Sequence, residues 1–260
     1  MELKGKNVIY SGGFGGIGQA GVKELLKSGS KYLTIFDVDE NKEAMTEFKK
    51  SYPGATIDFI PVDMRKKESI TAAFKSAVKK MGHFDVLVNG CGIMRDSEVD
   101  PTIEINLLGL MHSTLIALPY MDKSSGGRGG TIVNISSVVG LEPFSLCPVY
   151  VASKHGVTTF TRCLGDKIYY DRFGVNMITI CPGLTDTNLI NNFPSRCIFK
   201  FTEQQAIALA NAKHQSAEVC AKNMIKVIET GKNGAVYMLD LGNIKEITIP
   251  KWHQPTFLEH

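Results

Sequence analysis

Tyr150 and Lys154 stand four residues apart in Tyr150-Val-Ala-Ser-Lys154, a spacing that puts both side chains on one face of a helix, one turn apart. Such a pair can work as an acid/base device. A free phenol, with a pKa of about 10, is a poor proton acceptor near neutrality. A fixed ammonium about 4 Å away contributes roughly 4 kcal/mol at an effective dielectric near 20. That is enough to lower the phenol by up to roughly 3 units, into the range where it exchanges protons at physiological pH. Any helix with a half-buried Tyr and a solvated Lys shows the same spacing, so the surrounding elements must decide.

Near the start of the chain, Asn7-Val-Ile-Tyr-Ser11 is a short apolar run of the kind a buried parallel strand shows. Gly12, Gly13, Phe14, Gly15, Gly16, Ile17 and Gly18 follow, and Gln19 to Lys27 then places Val22, Leu25 and Leu26 on one helical stripe. Gly13-Phe-Gly15-Gly-Ile-Gly18 fits G-x-G-x-x-G. In the order strand, glycine turn, helix, that pattern lets backbone approach a pyrophosphate, whose charge then sits at the helix N-terminus.

The next run, Tyr32 to Asp37, ends in a carboxylate nineteen residues beyond Gly18. An acid there accepts hydrogen bonds from the adenosine ribose and repels a 2′-phosphate, and no Lys or Arg stands at Gly15 or Val38 to pair with that phosphate. NAD is therefore expected over NADP. The competing role for Asp37 is a turn acid or helix cap.

Composition sets the frame. A chain of 260 residues with 43% hydrophobic content, 29 basic and 26 acidic side chains and a net charge of +3 reads as one globular domain with no nucleic-acid signature. The domain is expected over 1–257, and Leu258-Glu-His260 fits either a tag stub or a native end. Cys91, Cys147, Cys163, Cys181, Cys197 and Cys220 show no C-x-x-C spacing, and a strand begins where a signal peptide would stand, so a cytoplasmic protein is expected. The six histidines form no H-E-x-x-H pattern, so no metal is expected. No apolar stretch reaches the length of a membrane span, and no such span is expected.

Apolar runs alternate with helical patterns along the rest of the chain. Helices are expected near 40–52, 67–80, 102–121, 148–170 and 216–229, and strands at 56–61, 84–89, Thr131–Ile135, Asn176–Ile180 and Ala235–Asp240. Together these predict a doubly wound α/β fold of about seven parallel strands, with ligands at the strands' carboxyl ends. Leu189 to Phe201 is unusually apolar for a connection, as expected of a lid over an apolar substrate, a helix packed on the core, or a dimer interface.

Ser11-Gly12-x-x-x-Gly16-Ile17-Gly18, Asp63, Asn89-Gly90-Cys-Gly92, Asn106, Ser137, Tyr150, Lys154 and Pro182-Gly183 fall in the order and spacing of the short-chain dehydrogenase/reductase family. The chain resembles that family over nearly its whole length. Within it, Asn233-Gly-Ala-Val-Tyr-Met-Leu-Asp-Leu-Gly242 is similar to the fruit-fly type of insect alcohol dehydrogenase. Pro148 to Gly156 and Ile180 to Gly183 are similar to NAD-dependent 15-hydroxyprostaglandin dehydrogenases. Cys147 departs from the latter, which carry a substrate-holding Gln at that place.

The resemblance implies that Tyr150 exchanges the substrate proton, that Lys154 lowers its pKa and holds the nicotinamide ribose, and that Ser137 orients the substrate oxygen. Adjacent strand residues face opposite ways, so Ser136 is left a structural role. Asn106 would fix helix geometry and a water linked to Lys154, or simply kink the helix. Asn89 and Gly90 would border the cofactor, Asp63 with Met64 the adenine, and Pro182, Gly183, Thr185 and Thr187 the nicotinamide amide or a phosphate. Helix capping competes for Asp63, Thr185 and Thr187. The substrate is expected to be a small apolar alcohol or ketone, with prostaglandin-like, retinoid or farnesoid alcohols as the alternative class, meeting Ser137, Cys147 and Tyr150. A homodimer or homotetramer through helices 102–121 and 148–170 is also implied. A non-catalytic binding or storage protein of the same fold is the rival reading.

Overall fold

The strands form where β-branched and aromatic residues cluster between turn signals, and they order into one sheet. The computed structural model describes residues 1–250; 251–260, including Leu258-Glu-His260, lie outside the described residues. The strands are β1 (Asn7–Ser11), β2 (Tyr32–Asp37), β3 (Thr56–Pro61), β4 (Val86–Asn89), β5 (Gly130–Ile135), β6 (Val175–Pro182), β7 (Val236–Asp240) and β8 (Asn243–Ile247). Their order is β3-β2-β1-β4-β5-β6-β7-β8. The first seven are parallel, and β8 turns back antiparallel on β7, with Asp240 opposite Asn243.

The helices are α1 (Gly16–Lys27), α2 (Lys42–Ser51), α3 (Lys67–Met81), α4 (Val99–Ile103), α5 (Leu110–Met121), α6 (Pro148–Leu164), α7 (Lys167–Phe173), α8 (Asn188–Asn191), α9 (Glu203–Ala210) and α10 (Ala217–Thr230). Their apolar stripes cover both faces of the sheet. Val22 and Leu25 of α1, Phe48 of α2 and Met224 of α10 pack on one side. Ile70 and Phe74 of α3, Leu118 of α5 and Leu164 of α6 pack on the other. The sheet direction of winding reverses between β1 and β4, which opens a crevice at their carboxyl ends.

Four details differ from the expected elements. The first helix starts at Gly16, so Gly16, Ile17 and Gly18 form its first turn. The pattern over 148–170 is two helices, because Asp166 stops the first and caps the second, accepting from the Ile168 N–H at 3.0 Å. The strand β8 was not expected; its polar Asn243, Lys245 and Glu246 hide the period-two signal of an edge strand. The helix expected from 102 begins at Val99 and relaxes to π-helical geometry over Glu104–Gly109 before becoming α5.

That last element also corrects the expectation that nothing in the chain has the length of a membrane span. Val99–Met121 is 23 residues long and holds an 18-residue window with a mean hydropathy of 1.2, and so passes by length and composition. Its buried Thr102, Asn106, Ser113 and Thr114 face the protein interior and are hydrogen-bonded there. It is a core helix whose polar stripe serves the interior.

Candidate active site

The carboxyl ends of β1, β4, β5 and β6 and the first turns of α1 and α6 converge on two cavities. One, of about 540 Å³, is lined by Gly12, Phe14, Gly15, Asp37, Asp63 and Arg65 among others. The second, about 130 Å³ and mainly apolar, is lined by Ser137, Phe144, Cys147, Tyr150, Lys154 and Leu189 among others. Gly90 and Gly92 wall both, so the two adjoin at the end of β4.

The glycine turn is built for close approach. Gly12 has φ +79°, and a Cβ there would stand 2.7 Å from the Cys91 backbone nitrogen. A side chain at Gly16 would meet Thr187 Cγ2 at 2.5 Å. The turn is therefore pressed between β4 and the loop after β6. Gly15 caps α1 with no side-chain bond, so the first-turn N–H groups have no intrahelical partner and can meet an anion.

Asp37 ends β2 in the wall of the larger cavity, against the glycine turn. Its Oδ2 accepts from the Phe14 N–H at 3.0 Å and its Oδ1 from the Val38 N–H at 2.9 Å. Burial raises its pKa while those two N–H groups oppose the rise. It is thus no helix cap; the cap of α2 is Asn41. Asp63 lines the same cavity and grips Arg65, whose Nε and Nη2 donate at 2.9 and 2.8 Å. That guanidinium pulls the Asp63 carboxyl down to about 2. Asp63 does not cap α3 either, since Lys66 holds that place.

Asn89 is corrected. Its side chain points into the interior, donating to Thr114 Oγ1 at 3.1 Å and Asn134 Oδ1 at 2.8 Å and accepting from Ser113 Oγ at 2.7 Å. Neither cavity includes it. A buried amide needs all its partners satisfied, and α5 supplies two of them, so Asn89 ties helix to sheet while Gly90 and Gly92 meet the cavities.

In the smaller cavity, Tyr150 is 7% and Lys154 3% exposed. Lys154 Nζ donates to the Ile135 carbonyl at 2.9 Å and lies 5.6 Å from the Tyr150 ring centroid. Here the electrostatics reverse the expected sign. Burial dominates and raises the phenol, with Cys147 and Cys181 adding to the rise and Ser137 opposing it. Burial also lowers Lys154 to about 8. The ammonium sits over the ring face and on a carbonyl, so it does not offset desolvation at the phenolic oxygen.

Ser136 and Ser137 follow β5, and both stand in the wall of the smaller cavity. Ser136 Oγ donates to the Lys154 carbonyl at 2.9 Å and meets Thr158 at 2.8 Å, bracing α6. Ser137 faces the cavity. Asn106, in the π-helical turn, brackets Ile93, accepting from its N–H and donating to its carbonyl at 2.8 Å each, and donates to Ser153 of α6 at 3.2 Å. Widened helical turns recur at functional sites; here the turn joins the β4 exit to the helix bearing Tyr150.

After β6, Pro182, Gly183, Thr185 and Thr187 line the smaller cavity. Thr185 Oγ1 donates to the Gly183 carbonyl at 2.9 Å and accepts from Gln215 at 3.2 Å. Thr187 precedes α8 without capping it by side chain. Leu189, Ile190 and Phe193 pack with Cys147 and Tyr150 in an apolar cluster beside the site, whereas Phe199 and Phe201 remain exposed. Met94 and Leu209 also line this cavity; no local pattern marks them. Val38, Met64, Arg95 and Glu98 complete the larger one.

Residues 6–197 match the short chain dehydrogenase family. The chain is 41% identical over 257 residues to alcohol dehydrogenase 2 of Ceratitis cosyra, covering 99% of this chain and 100% of that protein. It is 39% identical to fat body protein 2 of Drosophila melanogaster over 253 residues, 97% and 98% of the two chains. Among solved structures, levodione reductase superposes with a TM-score of 0.79 at 22% identity, over 92% of this chain and 97% of that one.

Proposed function

The chain belongs to the short-chain dehydrogenase family, and from that premise we propose that it is an NAD-dependent alcohol dehydrogenase acting on a small apolar, secondary alcohol. The meeting of the two cavities at Gly90 and Gly92 carries the reading. An extended dinucleotide fits it: the ribose hydroxyls at Asp37, the pyrophosphate at the glycine turn, and the nicotinamide end toward Lys154 and the Thr185–Thr187 loop. When bound, the nicotinamide supplies the hydride acceptor and a positive charge.

This chain's residues supply the rest. As phenolate, Tyr150 Oη would take the alcohol proton in oxidation, and as phenol return it in reduction; the positive charge of the bound nicotinamide would oppose the rise that burial imposes on the phenol. Ser137 orients the reacting oxygen, where charge changes in the transition state. Phe144, Cys147 and Leu189 exclude water and leave no polar group for a second substrate function. The mainly apolar wall suits an apolar alcohol, and short aliphatic alcohols are preferred here to prostaglandin-like, retinoid or farnesoid ones. The similarity to the Ceratitis alcohol dehydrogenase supports the same choice.

NADH formation from short secondary alcohols tests the reading, with the longer alcohols as controls. Turnover of the short series is expected. Tight alcohol binding without any turnover would return the chain to the binding-protein alternative. NAD should be preferred over NADP by at least about tenfold, since a repulsion of only about 1.4 kcal/mol at Asp37 gives that factor. Asp37→Asn combined with Val38→Arg should narrow the preference. A wild-type preference for NADP would remove the assignment of Asp37.

Assembly and location complete the proposal. Leu108 and Leu115 are exposed, 43% and 47%, on the helical run Val99–Met121, whereas Leu107 packs on Gly156 and Leu164 is buried, so the face is narrower than the sequence implied. A homodimer or homotetramer through this face should give a light-scattering mass of at least twice 28.5 kDa at micromolar protein. A monomeric mass refutes it. Six free cysteines suit a reducing cytoplasm.

A further inference from the structure

The segment Gly92–Glu98 crosses from the end of β4 to the start of α4 between the two cavities. It is pinned along its length. Besides the Asn106 bracket on Ile93, Thr102 Oγ1 donates to the Arg95 carbonyl at 2.8 Å, and the Ser97 N–H donates to the Arg196 carbonyl at 3.2 Å. Its residues alternate: Ile93 and Arg95 line the larger cavity, Met94 the smaller. Asp96 comes next and is 0% exposed.

Both Asp96 oxygens are committed to α6. Oδ1 accepts from the Tyr150 N–H at 2.8 Å and Oδ2 from the Val149 N–H at 3.1 Å. These are first-turn N–H groups that lack an intrahelical partner, and Cys147, which precedes the helix, offers no side-chain bond to them. A carboxylate at the positive end of a helix is favoured. The two N–H groups oppose the rise in pKa that burial imposes on Asp96. The acceptor comes from 54 residues upstream, and one of its two bonds is to the backbone of the residue that carries the phenol.

We infer that Asp96 is a positioning residue: its carboxylate fixes the first turn of α6, and so the place of the Tyr150 hydroxyl, against the segment that separates the two cavities. The inference rests on the acid/base reading of Tyr150. An error of about 1 Å at a reacting group can cost on the order of 100-fold in rate, so the effect belongs in kcat.

Asp96→Ala and Asp96→Asn test it, with NAD affinity, alcohol KM and kcat measured alongside amide hydrogen exchange of α6. In Asp96→Ala, kcat should fall at least about tenfold while NAD affinity and KM stay within about twofold. The Val149 and Tyr150 amides should exchange at least about tenfold faster, with the rest of α6 unchanged. Asp96→Asn keeps one acceptor oxygen and should lie between wild type and Ala. If the Ala variant does not fold, a kcat loss in the Asn variant of about threefold or more, at unchanged NAD affinity, is the deciding result. A wild-type kcat in either folded variant overturns the inference. So does a parallel fall of kcat, NAD affinity and melting temperature, which marks general loosening. A wild-type protein that turns over no alcohol fails the functional reading instead; the exchange rates then still report whether Asp96 holds the turn.

Discussion

Tyr150→Phe should lower alcohol oxidation by at least about 100-fold while leaving the fold and NAD binding intact. The ring packs with Met94, Cys147 and Phe193, and Phe keeps every one of those apolar contacts. The lost group is the hydroxyl assigned to exchange the substrate proton, whose pKa burial raises. Removing a buried hydroxyl from an apolar wall costs little stability, so melting temperature and NAD affinity should stay close to wild type. Tyr150 does not line the larger cavity, to which the adenosine and pyrophosphate are assigned, so most of the cofactor's proposed contacts remain in the variant. Substantial turnover in a folded Tyr150→Phe protein would end the catalytic reading. Loss of NAD binding in that variant would show instead that the hydroxyl also holds the cofactor.

The parts of this site that could be read from sequence are those whose partners are near in the chain. Gly12 to Gly18 follow a strand and open a helix within a dozen residues, and Tyr150 and Lys154 are one helical turn apart. The misreadings share a cause of the opposite kind. Asn89 faces inward because Ser113 and Thr114, on a helix two dozen residues away, complete its hydrogen bonds. The π-helical turn at Glu104–Gly109 accompanies the grip of Asn106 on Ile93, and no helix propensity encodes a register that a distant backbone sets. Asp96 is the extreme case, a helix cap delivered from another loop, where capping rules look only at the residue before the helix. The sign of the Tyr150 shift failed for an energetic reason. Spacing places the Lys154 charge nearby, but the depth of burial, which outweighs it, is a property of the assembled cluster of β5, β6 and α6.

The same burial makes Lys154 a site where function opposes stability, and the second large effect follows from it. Lys154→Met should abolish oxidation, by at least about 100-fold, and weaken NAD binding, yet leave the cofactor-free protein as stable as wild type or more so at pH 7. An ammonium whose pKa falls from its ordinary 10.5 to about 8 on folding disfavours the folded state below pH 8, by about 3 kcal/mol at 1.36 kcal/mol per unit. Losing the donor to the Ile135 carbonyl returns about 1–3 kcal/mol of that, so the net gain is small. Its pH dependence is the stronger test. Between about 8 and 10.5 the unfolded lysine binds a proton that the folded one does not, so the Lys154 contribution to wild-type stability becomes less unfavourable as pH rises through that window. The stability difference between Lys154→Met and wild type should therefore be largest near pH 7 and shrink toward pH 10. A difference that is constant over this range, or a Met variant much less stable than wild type at pH 7, would show that the buried ammonium contributes to the fold rather than straining it, and would detach Lys154 from the catalytic assignment made here.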